Sequence, residues 1–294
     1  MTPVTSPSLV STTTVALPDG RRLGVSHSGD PDGKPLLFFH GFGVSRLAVH
    51  PDESIAQTLG IRVIAVDRPG IGLSDPQPHR SVLNWANDVA VLADALHLSQ
   101  FALLGWSAGG PHALACAYKL PDRLTAIGIV SSAPPFSDDK ATRNLPASVK
   151  RLALIARFAP WMIRFSFWQH RRQILQDPKR VMAKAIDEMV PADRAIATDP
   201  RFESTLFTSM VTACSQTSRG LADDVLAVAR PWGFQLAEIT LPVRIWHGED
   251  DRTIPPQVGR YLAAAIPDCT AVYYPGEGHF TYLKHWSEIL TALS

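Results

Sequence analysis

The run Phe101-Ala102-Leu103-Leu104 leads straight into Gly105-Trp106-Ser107-Ala108-Gly109, and a helical pattern over residues 111–118 follows almost at once. Few local sequences narrow a fold so much. An apolar strand that turns into a helix around Gly-x-Ser-x-Gly forces its serine into a strained, exposed conformation. The flanking glycines have a mechanical reason, since a Cβ in so tight a turn would collide with the neighbouring strand and helix. The first turn of the following helix leaves backbone N–H groups unpaired beside the hydroxyl, and its dipole favours negative charge there. Taken alone, the segment is a glycine-rich β-to-α turn. Taken with the partners found below, it presents a nucleophile.

The rest of the chain alternates in the way such a turn requires. Residues 12–16 and 23–27 are β-rich runs around Pro18-Asp19-Gly20 and predict an antiparallel hairpin at a sheet edge. Residues 36–39 and 62–66 are continuous apolar runs of the kind buried on both faces of a sheet; they stop at His40-Gly41-Phe42-Gly43 and at the loop from Asp67 to Ser74. Residues 52–59 and 82–96 read as helices, residues 124–130 as a further strand. Strands resume at residues 243–246 and 271–274, with a helix over 257–265 between them and a last helix from Tyr282 to the end. This order predicts an α/β fold with a mostly parallel central sheet and helices on both faces. From about Ser137 to Arg230 only helical patterns occur, punctuated at Pro146, Pro160, Pro178, Pro191 and Pro200. The expected organisation is core over residues 1–136, a helical lid over 137–230, and the remainder of the core over 231–294.

A chain of 294 residues with 46% hydrophobic and 19% charged residues can bury a large core and gives no sign of disorder. A net charge of +1 gives no global reason to expect nucleic acid as a partner. Cys116, Cys214 and Cys269 are odd in number and widely spaced, which suits a reducing compartment rather than a disulfide framework or a zinc site. The polar, proline-bearing stretch over residues 1–11 does not read as a secretory signal, and no apolar run approaches the roughly 20 residues that span a bilayer. The default expectation is a cytoplasmic protein.

A serine needs a base, and the base needs an orienting partner. Ligands of an open parallel sheet meet the loops at the carboxyl ends of its strands, so candidates should follow strands directly. After Trp246 comes His247-Gly248-Glu249-Asp250-Asp251-Arg252-Thr253-Ile254-Pro255, with three adjacent carboxylates; after Tyr274 comes Pro275-Gly276-Glu277-Gly278-His279-Phe280, with one imidazole. Serine, acid, histidine is the chain order expected of such a sheet.

On four motifs the chain resembles the α/β-hydrolase superfamily, in its lidded esterase, lipase and epoxide-hydrolase-like branch. They are His40-Gly41-Phe42-Gly43; Asp67-x-Pro69-Gly70-x-Gly72-x-Ser74; Gly105-Trp106-Ser107-Ala108-Gly109; and Asp251-Arg252-x-x-Pro255 with Gly278-His279. The resemblance implies Ser107 as nucleophile, His279 as general base and then acid, and Asp251 as the residue orienting His279, with Asp250 and Glu249 as alternatives. It implies an oxyanion hole from the backbone N–H groups of Phe42 and Ala108, and a pocket touched by Trp106, Phe42 and Phe280. His40, His112 and His247 read as structural, and His285 as a surface residue of the last helix. The Asp67 to Ser74 loop reads as a structural glycine turn at the sheet's edge. Epoxide hydrolases and haloalkane dehalogenases of that branch attack with a carboxylate, whereas this chain has serine, and no tyrosine occurs between Tyr118 and Tyr261 to act as an epoxide-opening acid in the lid.

The expected function is that of a serine hydrolase, most simply a carboxylesterase cleaving short- to medium-chain acyl esters, without cofactor or metal. The alternatives are carbon–carbon, lactone or amide hydrolysis, or perhydrolysis, on the same residues, and a ligand-binding, receptor-like role with little turnover. Residues 140–184 hold eleven lysines and arginines against one acid, Asp177, among many apolar residues. The simpler reading is an apolar roof over the pocket with a solvated basic outer face. The sharper one is attraction of anionic or lipid-like acyl substrates, or weak contact with a membrane or lipid surface. Oligomeric state is not legible.

Overall fold

A computed structural model describes residues 11–294 of the protein. Apart from Ser11, the polar N-terminal stretch read above lies outside the described residues. Eight strands form one sheet in the order β1-β2-β4-β3-β5-β6-β7-β8: β1 (Ser11–Ala16), β2 (Arg22–Gly29), β3 (Lys34–Phe39), β4 (Ile61–Val66), β5 (Phe101–Trp106), β6 (Leu124–Val130), β7 (Val243–Gly248) and β8 (Cys269–Tyr274). β1 pairs antiparallel with β2, and β2 antiparallel with β4; every other pairing is parallel. The predicted hairpin thus sits at one edge, with β1 largely exposed, while β5 at the centre is buried at all six positions.

Helices α1 (Glu53–Thr58), α2 (Val82–Ala95) and α3 (Gly109–Lys119) connect the first strands. The Asp52 side chain caps α1 by accepting from Ser54 N, and Ser81 with Asn84 forms a capping box at the start of α2. One face of the sheet packs on α2 and α3 through Trp85, Val89, Leu92 and Leu114. The other is covered through Trp286, Ile289 and Leu290 of the C-terminal helix and by Ala56 of α1. All three cysteines are free.

Between β6 and β7 lie seven helices: α4 (Asp139–Thr142), α5 (Ala147–Phe158), α6 (Pro160–Gln176), α7 (Pro178–Asp187), α8 (Pro191–Ala197), α9 (Pro200–Ala213) and α10 (Arg219–Ala229). The prolines act as starts rather than breaks. Four of them open α6, α7, α8 and α9, where a missing N–H costs nothing and the fixed φ is already helical. Pro146 occupies the N-cap position of α5. α5, α6 and α10 pack together around Ala156, Ile163, Ala222 and Leu226.

The chain closes with α11 (Pro256–Ala265), α12 (Thr281–Lys284) and α13 (Trp286–Leu293). The single last helix expected from Tyr282 onward is in fact two. The break falls at His285, whose ring stacks on Tyr274 at 3.6 Å and whose nitrogens lie 3.1 Å from Glu277 and Glu288. These contacts hold its backbone outside helical geometry, at φ −103° and ψ 21°.

Candidate active site

β5 ends at Trp106, α3 begins at Gly109, and Ser107 between them has φ +53°. A non-glycine residue held there costs about 1–3 kcal/mol, so its surroundings must over-determine it. They do: its N–H donates to the Val130 carbonyl at 2.9 Å, and its carbonyl accepts from Gly110 and Ala133 at 3.0 and 3.1 Å. A Cβ on Gly105 would stand 2.5 Å from the Gly109 carbonyl oxygen, and one on Gly109 would overlap that of Phe39 in β3. The two glycines are therefore what lets strand, turn and helix approach.

The turns after β7 and β8 bring the other groups to this point. Ser107 Oγ lies 2.9 Å from His279 Nε2, and His279 Nδ1 lies 2.7 Å from Asp251 Oδ2. The second Asp251 oxygen accepts the N–H groups of Thr253 and Ile254 at 2.8 and 2.9 Å, which fixes the first toward the imidazole. Of the neighbouring carboxylates, Glu249 is exposed and pairs with Arg260 at 2.8 Å, and Asp250 is exposed. Burial alone would raise the Asp251 carboxyl, but the charge on His279 and hydrogen bonds from His247 and His279 hold it well below the usual carboxylate range. Burial alone would lower His279, yet the Asp251 carboxylate outweighs it and holds the imidazole above its ordinary 6.5. Such an array can accept a proton from Ser107 and carry it as imidazolium.

Phe42 lies in the loop after β3, the strand beside β5, and Ala108 follows Ser107 at the head of α3. Among the described residues neither N–H donates to a protein acceptor. The Phe42 ring is exposed over 38% of its surface and meets Phe167 of α6 edge-on at 5.4 Å. Trp106 is only 3% exposed. β5 turns its side chain toward the layer of Tyr282, where its Nε1 donates to the His279 carbonyl at 3.0 Å and its ring lies 5.4 Å from that of Phe280. It braces the histidine turn from behind.

His40 and His112 are fully buried, and burial drives both below 6.5, His112 down to about 3. They are neutral packing groups: His40 Nδ1 lies 2.7 Å from the Gly41 carbonyl and His112 Nδ1 2.8 Å from the Ala108 carbonyl. His247 does more than pack, since its Nε2 donates to the Ile254 carbonyl at 2.7 Å and lies 3.4 Å from Asp251 Oδ2. In the Asp67 to Ser74 loop, Asp67 accepts from Leu73 N within the loop and from Arg46, and so ties this loop to the one after β3.

Three contacts from the helical insertion are invisible in local sequence. Asp193 of α8 is buried, and its Oδ1 accepts the Phe280 N–H at 2.9 Å while the His279 N–H faces the same carboxylate. Asp224 of α10 grips Arg68 with both oxygens at 2.8 and 2.7 Å and also accepts from Arg80 at 2.7 Å. Arg68 in turn donates to the carbonyl oxygens of His40 and Gly41, so it holds the loop that carries Phe42. Ser209 of α9 accepts from Ser45 N in that loop at 2.8 Å. A lone aspartate in a helical pattern carries no mark of such a role, because its partner lies 87 or 156 residues away.

Comparison with known proteins agrees with this architecture. The chain is 28% identical over 266 residues to a pimeloyl-[acyl-carrier protein] methyl ester esterase of Aliivibrio salmonicida, covering 89% of this chain and 91% of that one. It is 30% identical over 283 residues to a non-heme chloroperoxidase of Streptomyces lividans, covering 92% and 94%. The crystal structure of a bromoperoxidase from Bacillus anthracis superposes with a TM-score of 0.72 at 22% identity over 96% of this chain and 98% of that one. With the model of the alpha/beta hydrolase fold matching residues 34–285 as well, the chain belongs to the α/β-hydrolase family.

Proposed function

We propose that the protein is a serine hydrolase, most simply a carboxylesterase of short- to medium-chain acyl esters. The observation that carries this reading is the continuous array from Asp251 through His279 to Ser107, with contacts of 2.7 and 2.9 Å and the serine at positive φ at the head of a helix. In this reading Ser107 Oγ attacks the acyl carbon as His279 Nε2 takes its proton. The N–H groups of Phe42 and Ala108 meet the oxyanion, an interaction typically worth about 2.7–4 kcal/mol per donor. His279 then protonates the departing alcohol, and the same imidazole activates the water that clears the acyl-enzyme. The helical insertion, residues 137–230, serves as the lid over this site. The esterase relative supports an ester as the bond cleaved.

A second reading is favoured by the chloroperoxidase relative. The same acyl-enzyme would be attacked by hydrogen peroxide in place of water and release a peracid. Hydrolysis of p-nitrophenyl esters from acetate to laurate, in the wild type, Ser107→Ala and His279→Ala, tests the first reading. Ready turnover lost in both variants is expected, and the chain-length optimum sizes the acyl pocket. A folded wild type inert toward every ester would overturn it, and peracid formation from acetate and peroxide would then decide for the second.

A further inference from the structure

α6 carries two apolar stripes where a helix at the surface of a globular protein carries one. Its inner stripe, Ile163, Phe167, His170 and Ile174, runs at spacings of four, three and four and turns into the protein, with Ile163 and Ile174 almost completely buried. Its outer stripe, Trp161, Phe165, Trp168, Arg172 and Leu175, runs at the same spacing on the opposite side. Trp161 is 67% exposed, and the outer face continues onto α5 through Phe158 at 73%. The apolar residues of this stretch are therefore not only a roof over the pocket; half a dozen large ones face outward.

What accompanies them is positive charge. Eleven lysines and arginines lie in residues 140–184 against Asp177 alone. Among the described residues only Arg164 of these eleven meets a carboxylate, Asp223 at 3.5 Å. Arg157 lies 5.1 Å from the Phe158 ring centre and Arg172 5.1 Å from that of Trp168, while Phe165 and Trp168 stack at 5.8 Å. Guanidinium groups are thus held over the faces of two exposed rings without being neutralised. A surface that intersperses large exposed apolar side chains with unneutralised cations matches the boundary between headgroups and acyl chains in an anionic bilayer. A folded acidic partner would satisfy the arginines but leave Trp161 and Phe158 needing an apolar surface of its own. No helix among the described residues is long and apolar enough to cross a membrane, so contact of this kind would lie in the interface plane.

We infer that the outer face of α5 and α6 docks the protein on anionic lipid surfaces, with the exposed aromatics entering the headgroup boundary and the surrounding arginines meeting lipid phosphates. Co-sedimentation with vesicles of phosphatidylcholine alone, and of phosphatidylcholine with about one-third phosphatidylglycerol, tests it. The wild type is expected to sediment with the anionic vesicles at low salt and to be released about tenfold at physiological salt. The triple variant Trp161→Ser, Phe165→Ser, Trp168→Ser is expected to bind at least about tenfold less while staying folded with a cooperative thermal transition, because all three rings are exposed and none belongs to a buried cluster. Absence of sedimentation with either vesicle at low salt would overturn the inference, and so would equal binding by the triple variant. A wild-type dimer in analytical ultracentrifugation that the triple variant converts to monomer, without vesicle binding, would assign the face to a second copy of the chain instead.

Discussion

The turns at the ends of the parallel strands and the helical insertion above them are held by different means. Ser107, Asp251 and His279 leave β5, β7 and β8, and their immediate backbone fixes them: Val130 and Gly110 around the serine, Thr253 and Ile254 around the aspartate. The insertion reaches the same place with buried carboxylates whose partners are remote, Asp224 on Arg68 and Asp193 on the Phe280 N–H. Its opposite side carries exposed rings with arginines beside them. The difference teaches where function and stability can be separated. A side chain such as Ser107 on the strand turns can be removed with its scaffold left standing, whereas a carboxylate of the insertion takes part of that scaffold with it.

Ser107→Ala sharpens the contrast most. Ester turnover is expected to fall by about 10⁴–10⁶, with the urea midpoint almost unmoved; a variant keeping a hundredth of the activity would remove Ser107 as the nucleophile. Asp251→Asn should lower kcat by about 10⁴. It should also move the acid limb of kcat/KM. In the wild type His279 must lose a proton held above its ordinary 6.5, so the rate rises through a pH above that value; without the carboxylate charge the limb shifts to lower pH. A limb unchanged in Asp251→Asn would mean another group titrates.

In the insertion the expected effect falls on stability first. Asp224→Ala leaves the buried Arg68 and Arg80 without a counter-charge and should cost about 3–5 kcal/mol in denaturant unfolding, against almost nothing for Ser107→Ala. Asp193→Ala strands a buried backbone N–H and should cost about 1–3 kcal/mol, with kcat lowered more than KM is raised. Asp193→Asn retains an acceptor and should recover most of the stability; failure to do so would show that charge rather than geometry matters there. Trp168→Ser on the outer face should change stability by no more than about 0.5 kcal/mol. A larger loss would erase the distinction between the two sides of the insertion.

The sheet was legible because a buried parallel strand must be apolar throughout, as residues 36–39 and 101–104 are, and because chemistry in such a sheet follows its strands. The order of Ser107, Asp251 and His279 and their positions at strand ends therefore point to one place from the sequence alone. In the insertion the sequence shows helical patterns punctuated by prolines, but that four of these prolines open helices, and how the helices pack, is seen only in the structure. That Trp106 donates to the His279 carbonyl is not legible, because adjacency to Ser107 in sequence does not say which side of the sheet a ring enters. The break at His285 escaped notice because it depends on Tyr274, a residue of β8 that periodicity within the last helix cannot register.

By itself the sequence determined the α/β alternation, the strained serine turn and the residues able to surround it, since these follow from local sterics and from which runs can be buried. Only the tertiary structure decided which carboxylates of the insertion grip the loops around Ser107 and His279, that His247 supports Asp251, and that the aromatics of α5 and α6 look outward. The first depends on partners 87 and 156 residues apart, and the second on how the turn after β7 folds back on itself within a few residues. The pattern along the chain says that a residue is polar or apolar, and packing alone says what it meets.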